Sequence, residues 1–327
     1  MMRRRQVIAI HAVLLTLAVM VYLPFALVIN NSFRTNAETY HSFFGVPRAF
    51  KELIGLVEAR EPGAPDAGAP EAVTAADVGD AESVESPGKR LLKGYVLSWA
   101  VLRRYMLNAL FVSGLSAFGT VLLGSLSAYV FSRYRFAGRN VLFAVMLSTM
   151  MVPGILTLTP AYLWMKGFPL VGGNDLYGHG GTGLLNSYWV LILPYIAGGQ
   201  VFAVFVCRSF FASLPEDLFE SARIDGAGHF SIYCNIVLPL SMPVLSVVAV
   251  MNILSTWNNF LWPFVTNSDD RYHVIASGLY IMSASQVNTN QATMNAAYLL
   301  ASIPLLVLFI YATKPFMRGV TTGALKA

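Results

Sequence analysis

The 327-residue chain is 56% hydrophobic and only 12% charged, about half the charged fraction of an ordinary soluble domain, so a water-soluble fold would leave much of its apolar surface exposed. Net charge is +5, but the lysines and arginines fall in short clusters between apolar runs, which speaks against a nucleic-acid-binding stripe and makes the charge a guide to membrane topology. Cys207 and Cys234 lack metal-ligand spacing, and His11, His41, His179, His229 and His273 are scattered, so no disulfide framework, metal centre or catalytic cluster is expected.

A membrane-crossing helix needs about 20 mostly apolar residues. Six segments meet that requirement, approximately 7–29, 106–132, 141–166, 187–212, 239–265 and 293–313. The expected fold is therefore an all-α polytopic membrane protein with six transmembrane helices. The first segment follows Met1-Met2-Arg3-Arg4-Arg5; it is too long for a signal-peptide core and lacks a clean small-x-small site, so residues 1–30 read as an uncleaved anchor.

Residues 31–105 form a long loop. Its stretch from Glu58 to Gly88 is rich in Ala, Pro, Gly, Asp and Glu and has no aromatic residue, so it cannot bury enough apolar surface to offset its ordering entropy and is predicted to be disordered. Tyr95 to Tyr105 then pairs Val96, Leu97, Trp99, Val101 and Leu102 with Arg103 and Arg104, the pattern of an interfacial amphipathic helix leading into the second span.

A transport core is expected over 106–314. Pro153, Pro160, Pro194, Gly198 and Gly199 interrupt its spans, either as fixed kinks or as hinges for alternating access. Gly172-Gly173-Asn174-Asp175 and Gly178-His179-Gly180-Gly181 form a glycine-rich outer loop without the strand-to-helix context of a phosphate site. Polar groups inside spans are costly and face a cavity or a neighbouring helix. Gln200, Asn252, Asn258 and Asn259, with aromatic Trp257 and Tyr298, are thus candidates to line a solute path, with helix packing as the competing role.

Residues 213–228 are too polar to span. Ser213 followed by Glu216 matches a capping box with Pro215 in the first turn. Leu218, Phe219 and Ala222 fall at helical spacing and form a small apolar face, and Gly226 and Gly228 permit a sharp turn afterwards. Placing the N-terminus in the cytoplasm puts eleven basic and four acidic residues inside, a net of +7, and leaves eleven basic and thirteen acidic residues outside, a net of −2. The positive-inside rule then places both termini and the 213–228 segment in the cytoplasm, with 315–327 as a cytoplasmic tail.

Glu220-Ser221-Ala222, then Gly226, then Ile236 and Leu238-Pro239 reproduce the Glu-Ala-Ala, Gly, Ile-x-Leu-Pro signature of the permease subunits of bacterial ATP-binding-cassette importers, with every spacing kept and Ser221 standing where Ala is usual. The chain resembles that family over 106–327, and closely its sugar-uptake branch, the one that includes the maltose and glycerol-3-phosphate permeases. Further matches are Asn108, Arg133-Tyr134-Arg135-Phe136-Ala137-Gly138-Arg139, Met151-Val152-Pro153-Gly154, Thr256-Trp257-Asn258-Asn259-Phe260-Leu261-Trp262-Pro263 and the tail from Arg318 to Lys326. The acidic insertion is outside this pattern.

The resemblance implies a type I importer permease fold in the cytoplasmic membrane and an assembly with a homologous second permease subunit, two ABC ATPase subunits and an extracytoplasmic solute-binding protein. Leu218, Phe219, Glu220, Ser221, Ala222 and Gly226 would be the ATPase-coupling residues. No Walker loop occurs in the chain, so no cofactor is expected here, and ATP and Mg would sit on the partner ATPase subunits. A permease of the same architecture for a glycerol phosphoester or polyamine, and an ATP-independent carrier or channel, are the alternatives.

Overall fold

The computed structural model describes residues 4–35, 38–39, 42, 44–56, 86–284 and 291–324, with backbone alone for 4–9, 87 and 314–324. Most of the acidic insertion, which the sequence predicts to be disordered, lies outside the described residues. The helices are α1 (Arg4–Asn31), α2 (Arg48–Leu53), α3 (Pro87–Arg133), α4 (Arg139–Ser148), α5 (Gly154–Lys166), α6 (Trp189–Ala212), α7 (Glu216–Ile224), α8 (His229–Ile232), α9 (Leu238–Leu240), α10 (Met242–Asn258), α11 (Leu261–Thr266), α12 (Ile275–Ala284) and α13 (Gln291–Ala324). Among the described residues, four are long and apolar enough to cross a membrane, and the total reaches six when the bent pairs on either side of residues 152–153 and 241 each count as one span.

Four sequence expectations change here. The segment 95–105 is not a separate interfacial helix but part of α3, which runs unbroken for 47 residues. The third span is broken instead of continuous: α4 gives way to a short 3-10 turn at Thr149–Met151, and the axis bends by 103° before α5. Pro153 causes this, because it forces Val152 into an extended conformation with ψ 118 and has no N–H to give the helix. The fifth span also bends, by 78°, where Pro239 and Pro243 remove two backbone donors around Ser241. A π-helical turn at Tyr233–Val237 precedes that bend, and the segment finishes at Asn258 with α11 as a separate helix. Finally, α13 continues past 313 to Ala324, so most of the tail is helical.

The chain forms two compact units, Met1–Arg103 with Leu279–Ile303 and Arg104–Gly278 with Pro304–Ala327. In the first, the buried Arg34 organises the turn after α1. It donates to Asn31 Oδ1 at 3.0 Å and to the carbonyls of Glu38 and Ser42. Glu38 in turn accepts from the backbone N–H groups of Thr35 and Arg48. Gly94 lies against the Ala292–Thr293 backbone, which a Cβ there would meet at 3.4 Å, and Ser98 donates to Thr293 O at 2.7 Å.

The second unit holds a core drawn from α3, α6, α7, α8, the π turn and α10, centred on Tyr129, Val204, Phe211, Phe219, Ile232, Tyr233 and Val248. At the opposite end from α7, the junction of Asn108, Tyr188 and the 271–273 segment is polar and closely paired. Asn108 donates to the carbonyls of Arg271 and His273, both at 2.8 Å, and accepts from the Tyr188 hydroxyl at 2.9 Å. His273 is buried, with Nδ1 3.2 Å from Ser277 Oγ. Burial lowers its pKa below the usual 6.5, against the opposing pull of Asp270 and Asp269. The unfolded chain therefore binds a proton that the folded imidazole resists, and stability falls as pH drops below about 6.5. The purified chain should lose more thermal stability between pH 7.5 and 5.5 than its His273→Gln variant; equal losses would remove His273 from the cause.

Candidate functional site

One end of the second unit carries α7, the helix of the Glu220-Ser221-Ala222 motif that the sequence places in the cytoplasm. The predicted capping box does not form. Ser213 Oγ turns back to Phe210 O at 2.7 Å and ends α6, while Pro215 occupies the N-cap of α7 without a side-chain cap. Glu216 is drawn away from the backbone by two arginines, with Arg133 Nη1 at 2.5 Å and Arg223 Nη2 at 3.5 Å. Both acids of the first turn, Glu216 and Asp217, and Arg223 in the last turn match the helix dipole.

The end of α7 has a specific geometry. Ala227 N–H donates to Ala222 O at 2.9 Å and Gly226 N–H to Arg223 O at 3.1 Å, with Gly226 in the left-handed region at φ 79. These two bonds define a Schellman cap and explain why the motif requires glycine at that position.

The face of α7 is divided differently from the sequence expectation. Phe219 and Ala222 point into the chain's own core, at 1% and 8% exposure, so they are not free to meet a partner. A short amphipathic helix on a large apolar core buries its apolar stripe there first. Leu218, Glu220 and Ser221 remain outside, and so does Ile224, which is 86% exposed and was not among the expected coupling residues. Glu220 does not pair with Arg223, which has gone to Glu216, and it makes no ion pair among the described residues.

Within the spans, the expected polar residues separate into groups. Asn252 is buried and donates to Thr120 Oγ1 at 3.1 Å, joining α10 to α3. Gly199 of α6 lies against both side chains, and a Cβ there would approach Asn252 Nδ2 and Thr120 Cγ2 at 2.7 Å. Gln200, on the same turn of α6, donates to Ile196 O at 3.1 Å and lies close to Gly124 of α3. The Oδ1 of Asn252 and the hydroxyl of Tyr195 are buried without a hydrogen-bond partner among the described residues. Asn252, Thr120 and Gln200 thus form one polar layer between α3, α6 and α10.

Asn258 and Asn259 serve the local backbone instead, donating to Leu254 O at 2.8 Å and accepting from Trp262 N–H at 3.2 Å. Trp257 lines a small apolar groove with Leu110, Ile253 and Pro304. Tyr298 is half exposed and belongs to the first unit. Pro194 leaves α6 continuous; the Val190 carbonyl that it deprives of a partner accepts the Trp262 indole N–H at 2.8 Å.

Residues 120–321 match the model of the binding-protein-dependent transport system inner membrane component family. This chain belongs to that family. The permease is 27% identical over 319 residues, 97% of its length and 88% of the relative's, to the diacetylchitobiose uptake system permease protein NgcG of Streptomyces coelicolor. It is 34% identical over 207 residues, 63% of its length, to the maltodextrin transport system permease protein MdxG of Bacillus subtilis, covering 69% of that protein. A chain in the crystal structure of a bacterial ABC transporter involved in alginate import superposes with a TM-score of 0.70 over 96% of the permease and 98% of that chain, at 17% identity. The fold is that of the type I ABC importer permeases.

The matched region contains the polar layer and α7 in full. Two features beyond the sequence reading emerge from the structure. Thr120 was an unremarked hydroxyl in an apolar run, and Arg133 was counted only as a cytoplasmic charge within a family motif.

Proposed function

We propose that the permease carries a neutral sugar or oligosaccharide, delivered by an extracytoplasmic solute-binding protein, into the cytoplasm through the cytoplasmic membrane. The observation that carries this reading is the family match together with relatives named for oligosaccharide uptake, one of which aligns over nearly the whole chain. A homologous second permease subunit completes the pathway, and two ABC ATPase subunits hold ATP and Mg and supply the work. Their contact on this chain is the exposed face of α7, with Leu218, Glu220, Ser221 and Ile224.

The charge distribution favours an uncharged solute. Segments 105–132, 140–165, 189–207, 242–266 and 291–313 contain no Asp, Glu, Lys or Arg. A phosphoester or a polyamine crossing a low-dielectric pathway would require opposite charge along it. An uncharged amide of the kind carried by the partly exposed Gln200 suits sugar hydroxyls, which both donate and accept.

The test is reconstitution with both ATPase subunits, the second permease and the binding protein. ATP hydrolysis is then measured with the binding protein offered maltodextrins, N-acetylated chito-oligosaccharides, arabino-oligosaccharides, a glycerol phosphoester and a polyamine. Stimulation confined to one or more neutral oligosaccharides is the expected result. Stimulation by the phosphoester or polyamine alone would reject the sugar assignment, and transport without any ATPase would reject the importer.

A further inference from the structure

Arg133 is the last residue of α3, and its side chain is only 10% exposed. Its guanidinium meets three other structural elements at once. Nη2 donates to Phe211 O at 2.6 Å in the last turn of α6 and to Leu214 O at 3.0 Å in the linker. Nη1 pairs with Glu216 at 2.5 Å in the first turn of α7. The guanidinium carbon lies 3.7 Å from the centroid of the Phe219 ring, the main apolar anchor of α7. A planar group with five donors can satisfy carbonyls, a carboxylate and a ring face together; an ammonium cannot reproduce that set.

The same helix carries other ties to the transport core. Ser125 Oγ is 2.7 Å from the Tyr233 hydroxyl in the π turn, and Thr120 holds Asn252 in the polar layer. Thirteen residues separate Arg133 from Thr120, about 20 Å at 1.5 Å per residue. By contrast, α7 has nine residues, too few to hold its orientation without tertiary contacts. A force applied to its exposed face therefore passes through its anchors: the apolar packing of Phe219 and Ala222 in the core shared with α3, and Arg133, the hydrogen-bonding anchor that ties α7 to the end of α3.

We propose that Arg133 is the positioning residue that makes α7 and the inner part of α3 move as one body, so that displacement of α7 reaches the polar layer at Thr120 and Asn252. This inference rests on the importer reading for its energy source. Phe219 and Ala222 seat α7, and Arg133 determines which helix the seated α7 drives. The half-exposed Glu216 is the lesser of its contacts, because an exposed ion pair contributes little.

The experiment compares Arg133→Gln, Arg133→Lys and Glu216→Gln in the reconstituted complex. For Arg133→Gln the ratio of stimulated to unstimulated ATP hydrolysis should fall roughly tenfold or more, the effect of about 1.4 kcal/mol, with uptake falling in parallel and the ATPase subunits still co-purifying. Arg133→Lys should recover part of the ratio, and Glu216→Gln should stay within about threefold of wild type. Spin labels at Val130→Cys on α3 and Asp217→Cys on α7, both exposed positions, provide a readout independent of solute. With Cys234→Ser as background and Cys207 buried, the label distance should be single and unchanged by ATP in wild type, and broad in Arg133→Gln.

Coupled uptake by Arg133→Gln would overturn the proposal. So would loss of the ATPase subunits, which would make Arg133 a determinant of docking alone, or a narrow, wild-type label distance in the variant. If no loaded binding protein stimulates the wild-type complex, the importer reading fails, and the label distances still decide the role of Arg133.

Discussion

Gly226→Val is expected to uncouple ATP hydrolysis from transport while leaving the spans intact. Gly226 holds φ 79 at the end of α7, and the two bonds of the Schellman cap depend on it. An L-residue in the left-handed region costs about 1–2 kcal/mol, and a β-branched one more. Among the described residues, no atom beyond its immediate chain neighbours lies within 4 Å of a Cβ built there, so within this chain the penalty is conformational and not a collision. Valine should therefore reopen the turn, tilt α7 and lower the stimulated ATPase ratio by at least roughly tenfold. Gly226→Asn distinguishes the causes, because Asn tolerates the left-handed region. If backbone geometry is the whole requirement, Asn should work nearly as well as Gly. Failure of both variants would mean that the partner needs the empty space, and normal coupled uptake by Gly226→Val would remove this turn from transmission. Glu220→Ala should be mild, since an ion pair at the rim of the ATPase contact contributes only about 0–1 kcal/mol.

The membrane character and the position of α7 were legible because both depend on local quantities. Apolar runs of spanning length report burial in lipid, and the spacing from Glu220 to Pro239 reports a motif. What the sequence concealed depends on tertiary partners. A capping box at Ser213 and Glu216 is a sound local pattern, but Arg133, 83 residues away along the chain, takes the Glu216 carboxylate. Apolar residues at helical spacing identify the face of α7 without saying whether the core or a partner takes it. The break near Pro153 was visible as a proline, yet the apolar run 141–166 read as one span; Pro239 stood at the start of the run 239–265, so the bend ahead of α10 fell at the edge of that segment. Among the intramembrane amides, Asn252 and Asn258 looked equivalent in the sequence; only the neighbouring helices put Thr120 against one and leave the other on its own backbone.

The division of the α7 surface leads to the second large effect. Phe219→Ala should destabilise the permease itself, because the ring is 1% exposed, packs in the core with Phe211 and Tyr233, and supports the Arg133 guanidinium. Truncating a fully buried phenylalanine costs about 3–5 kcal/mol, so the isolated permease should unfold at clearly lower temperature in detergent before any ATPase is present. Ile224→Ala should do the reverse. A side chain that is 86% exposed changes the stability of the isolated chain by less than about 0.5 kcal/mol. As a central apolar contact in the ATPase interface, its loss would weaken retention of the ATPase subunits by more than about 1 kcal/mol. Melting curves of the isolated variants and pull-down of the ATPase subunits together separate the two roles. If Phe219→Ala melted like wild type and lost only the ATPase, Phe219 would belong to the partner's groove, and the outward face assigned to Leu218, Glu220, Ser221 and Ile224 would be wrong.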